Sequence, residues 1–267
     1  MKMNRWTRMV ALYLALTFGI AWGIFLLLAL FPAWMEAHFG AMSARNPLFY
    51  LAVWAPNIAA LVTAVVLGGR RALIDLFLRL IRWKVPLWVW VAAFGFYPAL
   101  MLVVQLIQNP GGGMSAWWLG MAVGLVSLPA LALGPLGEEL GWRGTLLPLV
   151  LGRTNAVVAA LVVGAVWMIW HLPAFFVSGL PQDGMVISMF MVGGMALSVF
   201  VTWLFVNARG GIFIAGIVPH AVVNAYGDAT GAMSWVQVGV LVAAAVLLVA
   251  LLGANLRPHR FLPALQR

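Results

Sequence analysis

The sequence predicts an all-α, polytopic integral membrane bundle of about eight transmembrane helices, with a further amphipathic helix on the cytoplasmic surface. Two observations carry this. Of the 267 residues, 65% are hydrophobic and only 8% are charged, whereas soluble domains carry roughly a quarter charged residues. The apolar residues also fall into consecutive runs near the roughly 20 residues that cross a bilayer. A mean hydropathy of +1.06 and 14 tryptophans fit spans flanked by interfacial aromatic belts. The runs fill nearly the whole chain, so residues 1–267 read as a single transmembrane domain.

The spans can be drawn at about 9–31, 48–68, 87–107, 117–150, 155–177, 185–206, 211–227 and 235–255. The first follows a basic lead, "MKMNRWTR". Its apolar run exceeds the core of a signal peptide and no small-residue cleavage site follows, so it is expected to be retained. The fourth is too long for a simple crossing. It holds Pro129 and Pro135, which predict a kink, a tilt or an interfacial portion.

Between spans two and three lies "RRALIDLFLRLIRWK" at 70–84. Arg71, Asp75, Arg79 and Arg82 fall on one helical face, and Leu73, Phe77, Leu80 and Ile81 on another. This predicts a short helix lying on the membrane surface as a linker. A substrate gate is the sharper alternative. Gly120 and Gly124, in "GMAVG", have the spacing of close helix packing.

The net charge of +9 does not point to nucleic acid, because the cations lie in short loops between spans. Fourteen of the fifteen basic residues fall at the N-terminus, in alternate loops and in the tail, against Arg45 alone on the other side. Both termini are therefore expected in the cytoplasm. A compact bundle of this kind is expected in a bacterial plasma membrane. There is no cysteine, which excludes disulfides, thiol nucleophiles and cysteine metal sites.

An ionisable residue inside a span costs at least a few kcal/mol, so it marks a function or a partner. The candidates are Glu138, Glu139, Arg143, His171, His220, the neutral Asn224 and, at a span end, Asp228. His38 and His259 lie in a loop and the tail and receive no role. In "GEELGWRG" at 137–144, Glu139 and Arg143 are i,i+4 and can pair on one face. Glu138 is turned about 100° away. It has no such local partner, so it is the free carboxylate a general base requires.

Depth along the bundle is consistent with convergence. Spans four and five turn near Arg153, with Glu138 on one arm and His171 on the other. At about 1.5 Å per residue both lie roughly 22–27 Å from that turn. His220 is shallower and comes level if its helix starts late or bends at Pro219. His220 and Asn224 are i,i+4 and share a face.

Such a set suits water activation. A carboxylate takes the proton, histidine positions the water, and asparagine with histidine stabilises an oxyanion. Glu138, His171 and His220 also make a zinc set of one carboxylate and two imidazoles with an open fourth position. A proton-coupled transporter with Glu138 as the titrating group is a rival, although no inverted repeat is visible.

Three motifs carry a resemblance: "EELGWR" at 138–143, "WMIWH" at 167–171 and "HAVVN" at 220–224. In order and spacing they are similar to the EExxxR, FxxxH and HxxxN pattern of the CPBP (Abi) family of intramembrane proteases. That family includes type II CAAX prenyl endopeptidases and bacteriocin self-immunity proteins. The resemblance covers about residues 115–227, taken as the catalytic core. It implies an intramembrane endopeptidase acting on a peptide or membrane-protein substrate, lipidated substrates included, within the bilayer. It implies that Glu138 activates water with help from His171, that Glu139 and Arg143 hold the site, and that His220 and Asn224 stabilise the tetrahedral intermediate. Trp167 stands where phenylalanine is common, which predicts a changed pocket wall. Zinc dependence and a metal-independent glutamate mechanism are both compatible with the family, and the second is the preferred expectation. A non-catalytic scaffold or immunity factor on the same fold is the alternative function.

Overall fold

The computed structural model describes residues 4–111, 117–118, 121–122, 133–230 and 233–252. Among them the protein is all helical, with no strand. In chain order the helices are α1 (Arg5–Leu30), α2 (Pro32–Phe39), α3 (Pro47–Thr63), α4 (Gly69–Leu80), α5 (Leu87–Gln108), α6 (Leu133–Gly141), α7 (Leu147–Leu151), α8 (Ala156–His171), α9 (Ile187–Asn207), α10 (Val218–Thr230) and α11 (Trp235–Leu252). Five described helices or helix runs are long and apolar enough to cross a bilayer, and two shorter apolar helices accompany them. The chain is an integral, multi-pass membrane protein.

Asparagine starts three of these helices. Asn4, Asn46 and Asn155 each accept a backbone N–H from the first turn that follows, at 2.9 Å. The side-chain oxygen thereby satisfies a donor that has no intrahelical partner. Inside the bundle, α3 packs against both α1 and α6, and α9 against both α8 and α11.

The motif-bearing spans are not uniform helices. Residues Trp142–Leu146 between α6 and α7, and Phe213–Ile217 before α10, form wider π-helical turns. Each is followed two residues later by proline, Pro148 and Pro219. Proline has no N–H to give to the carbonyl four residues back, and its ring crowds that carbonyl. A widened turn just upstream absorbs the mismatch. The seventh span therefore does start its regular helix late, at Val218. In the over-long fourth span, Pro135 sits in the first turn of α6, and the regular helix is interrupted after Gly141. Pro129 and the Gly120–Gly124 pair lie outside the described residues.

The helix expected at 70–84 is α4, and it is shorter, ending at Leu80. Gly69, at φ +68, turns the chain out of span two, a left-handed conformation that glycine adopts without penalty. Ile74, Phe77, Leu78 and Ile81 form its exposed apolar stripe. One part of the expectation is corrected. Arg79, placed on a solvated charged face, is buried. It pairs with Asp75 at 2.8 Å and donates from Nη2 to the Gly144 carbonyl at 2.7 Å. Pro148, four residues on, has no N–H to give that carbonyl, and a long cationic side chain from α4 supplies the donor.

Several of the cations assigned to one side tie neighbouring segments together. Arg5 donates to the Leu67 carbonyl. Trp6 donates to the Leu149 carbonyl at 2.8 Å and lies under the Arg153 guanidinium. Arg82 donates to the Arg209 carbonyl. Arg143 departs from this group: it is fully buried inside the protein and is not a loop charge.

Candidate active site

Four segments supply the site: α6 with its following π turn, α8, α10, and α3 beneath them. From Gly137 through Leu151 every residue is buried. Such complete enclosure lets charged groups sit at membrane depth against protein, away from lipid.

Glycine makes the enclosure possible. A Cβ on Gly137 would lie 2.7 Å from the Trp54 ring, and one on Gly141 would lie 2.5 Å from Pro56 Cβ. The pair is spaced i,i+4, so one face of α6 lies directly on α3. Opposite, a Cβ on Gly216 would lie 2.5 Å from Glu139 Oε2. The π turn before α10 thus leaves room for that carboxylate only because residue 216 has no side chain.

The two glutamates have separate partners. Glu139 Oε1 accepts from Arg143 Nη1 at 2.7 Å and lies 2.9 Å from His220 Nδ1. Glu139 and Arg143 are both wholly buried, so each charge is compensated in a medium where an unpaired ion is costly. Among the described residues no cation pairs with Glu138. Its Oε2 accepts the indole N–H of Trp142 at 3.2 Å and that of Trp167 at 2.8 Å. Trp142 is i,i+4 from Glu138, a local partner that the search for charged residues passed over.

Trp167 stands at the centre of the cluster. Its ring centroid is 5.1 Å from that of His220 and 5.7 Å from that of His171, both edge-on. The Arg143 guanidinium lies over its face, 4.6 Å from the centroid, a favourable cation–π geometry. The departure from phenylalanine is therefore more than a change of wall shape, because phenylalanine has no N–H to give Glu138.

His171 is partly buried, with Nδ1 2.9 Å from the Trp167 carbonyl. A carbonyl only accepts, so this bond assigns the proton to Nδ1 and leaves Nε2 as an acceptor. Phe190 and Trp170 flank the ring at 5.1 and 4.7 Å. Asn224 is partly buried, one turn along α10 from His220. The side chain of Asp228 lies outside the described residues.

The zinc set was tested against this arrangement. Glu138 Oε2 accepts from two indoles, while His171 Nδ1 meets the Trp167 carbonyl and His220 Nδ1 meets Glu139. No three His, Asp or Glu side chains among the described residues gather closely enough to hold one ion. Those hydrogen bonds involve one atom of each group, and a histidine held at Nδ1 by a carboxylate or a carbonyl can still bind a metal through Nε2.

One supporting residue was missed altogether. Asn57, buried in the middle of α3, donates from Nδ2 to the Leu136 carbonyl at 2.6 Å and accepts the Gly141 N–H at 3.2 Å. Its amide therefore grips the backbone of α6 on both sides of Glu138 and Glu139. The signal was present as an asparagine beside a proline inside an apolar span, "WAPNIAA". A search restricted mainly to ionisable groups does not register it.

Fold and site together define a class: an all-helical membrane protein with a carboxylate, imidazole and indole cluster enclosed by its own spans. Residues 121–226 match the family model described as type II CAAX prenyl endopeptidase Rce1-like. The chain is also similar to "CAAX prenyl protease 2" of Methanococcus maripaludis, 28% identical over 143 residues, which cover 49% of this chain and 52% of that protein. The chain spans about half the length of that curated relative. Both matches support the CPBP family, the resemblance carried by "EELGWR", "WMIWH" and "HAVVN".

Proposed function

We propose that this protein is an intramembrane endopeptidase of the CAAX type, hydrolysing a peptide bond with water activated by Glu138. The observation that carries the reading is the division of labour between adjacent glutamates. Glu139 is neutralised by Arg143 and faced by His220. Among the described residues Glu138 is held by neutral indole donors, so its carboxylate remains available to a proton.

In the proposed reaction Glu138 accepts a proton from water as the water oxygen attacks the scissile carbonyl carbon. His171, with Nε2 as an acceptor, orients that water. The oxyanion that forms is stabilised by His220, whose ring is fixed by Glu139, and by Asn224. Collapse of the intermediate breaks the C–N bond, and Glu138 returns the proton to the leaving nitrogen. Every proton is accounted for by water, Glu138 and the leaving amine.

The proposed substrate is a peptide or membrane-protein segment that meets the site from the bilayer. A prenylated CAAX peptide is the first to test, given what the similar protein is named for. The reading includes both termini in the cytoplasm, the orientation that the charge pattern of the loops favours.

The test is a quenched-fluorescence peptide panel, prenylated and unprenylated, with purified protein in detergent. Wild type is expected to cleave at least one member and Glu138→Ala none. Equal cleavage by the two proteins removes Glu138 as the base.

A further inference from the structure

We propose that Trp142 and Trp167 are positioning residues for Glu138. Their two indole N–H groups clamp one carboxylate oxygen, Oε2, and leave Oε1 as the oxygen that takes the proton from water. The proposal rests on the endopeptidase reading and adds to it the way the base is aimed.

A glutamate carboxylate turns easily about its last torsion, whose energy wells are broad and roughly two-fold. Left alone it would present either oxygen, in a range of planes. Here two donors converge on a single oxygen from different directions. Trp142 reaches it from one turn further along the same segment, at 3.2 Å. Trp167 reaches it from α8, at 2.8 Å. Two donors fill the accepting capacity of Oε2. Two bonds to one oxygen restrict rotation of the carboxylate about its last torsion.

The chemistry of the clamp matters as much as its geometry. Indole is a donor only and does not ionise in the accessible pH range. It cannot take the proton that Glu138 is to take, as histidine would, and it does not bring the full charge that Arg143 brings to Glu139. Neutral donors stabilise the carboxylate without locking it into an ion pair.

Both indoles are themselves held. Trp142 is wholly buried, with Tyr13 and Trp170 edge-on at 5.9 and 5.7 Å. Trp167 has Arg143 over its face and His220 and His171 at its sides. Through Trp167 the position of Glu138 is tied mechanically to the Glu139–Arg143–His220 ion cluster. A site whose supporting side chains are packed in this way keeps its base within the narrow tolerance that proton transfer needs.

Two measurements test the clamp. The first needs no activity. In ¹⁵N–¹H spectra of the full-length protein in detergent, the indole signals of Trp142 and Trp167 are assigned through Trp142→Phe and Trp167→Phe. Both are expected downfield of exposed indoles, and both move upfield in Glu138→Ala, where the two tryptophans remain in place. Signals unmoved in Glu138→Ala overturn the clamp whatever the enzyme does.

The second is kinetic. Trp167→Phe keeps an aromatic ring and deletes the N–H. It is expected to lower kcat by roughly 10- to 100-fold, the range for a hydrogen bond to a charged group, with KM within about two-fold. Trp142→Phe, with the longer bond, is expected to lower kcat less. An unchanged thermal midpoint in Trp167→Phe separates positioning from packing. If Glu138→Ala is inactive while both tryptophan variants keep the wild-type kcat, the clamp fails and the endopeptidase reading stands. If Glu138→Ala is as active as wild type, the base assignment fails, and the spectra still decide whether the clamp exists.

Discussion

Two stretches of the bundle meet opposite surroundings. The segment Gly137–Leu151 is buried at every position. Helix α11 keeps one side inside, with Gln237, Val238, Leu241 and Ala245 buried, and exposes Val246, Leu247 and Leu251 on the other. The first carries Glu138, Glu139 and Arg143, and the second carries no charge. Their neighbours differ accordingly. Lipid tails offer no hydrogen bonds and conform to whatever shape they meet. The surroundings of 137–151 are fixed side chains and backbone that offer donors, acceptors and defined gaps. Polar groups at membrane depth are concentrated where protein encloses them.

This contrast can be broken from its most sensitive point outward. Arg143→Leu leaves Glu139 buried with only His220 facing it. It is expected to lose about 3–5 kcal/mol of stability, read as a large fall in the unfolding midpoint in detergent. Glu139→Gln in the same chain is expected to recover part of that loss, since the stranded charge is gone. Gly141→Ala comes next. Its Cβ would meet Pro56 at 2.5 Å, and overpacking of this kind costs about 1–3 kcal/mol. A midpoint equal to wild type would mean that α3 and α6 are not packed as closely as described.

Asn57→Leu is expected to have a middling effect. It removes both side-chain bonds to the α6 backbone and leaves a buried carbonyl and N–H short of partners, at about 1–3 kcal/mol. Peptide cleavage should fall more than stability does, because the same bonds hold the segment that carries Glu138. Smallest is Leu247→Ala on the outward face of α11, expected within about 0.5 kcal/mol of wild type. A large effect there would show that this face is covered by something other than lipid.

Much of the site was legible because helical spacing is strict. Glu139 and Arg143 at i,i+4 had to share a face, and they pair. The order of the three motifs along the chain put Glu138, Trp167 and His220 on separate spans, and all three join one cluster. Less legible was everything that depends on which face meets which neighbour. Arg79 reads as a solvated cation by its helical position, yet it reaches inward to the Gly144 carbonyl. The glycines that matter for close approach are Gly137, Gly141 and Gly216, and nothing in their local sequence distinguishes them from other glycines in apolar runs. Helical spacing groups His220 with Asn224 on its own helix, while its Nδ1 is engaged by Glu139 from another.

The sequence by itself determined the class of environment and the chemical inventory. With few charges and long apolar runs, the chain has no stable fold in water, and helices satisfy the backbone within lipid. Six acidic and four histidine residues then leave few groups able to do chemistry inside it. Only the tertiary structure decided how those groups are distributed among partners. Which partners each carboxylate has beyond its own segment depends on Trp167 of α8 and His220 of α10, far away in the chain. Rotation along one helix separates two neighbouring side chains, but only the packing of several helices determines what each of them faces.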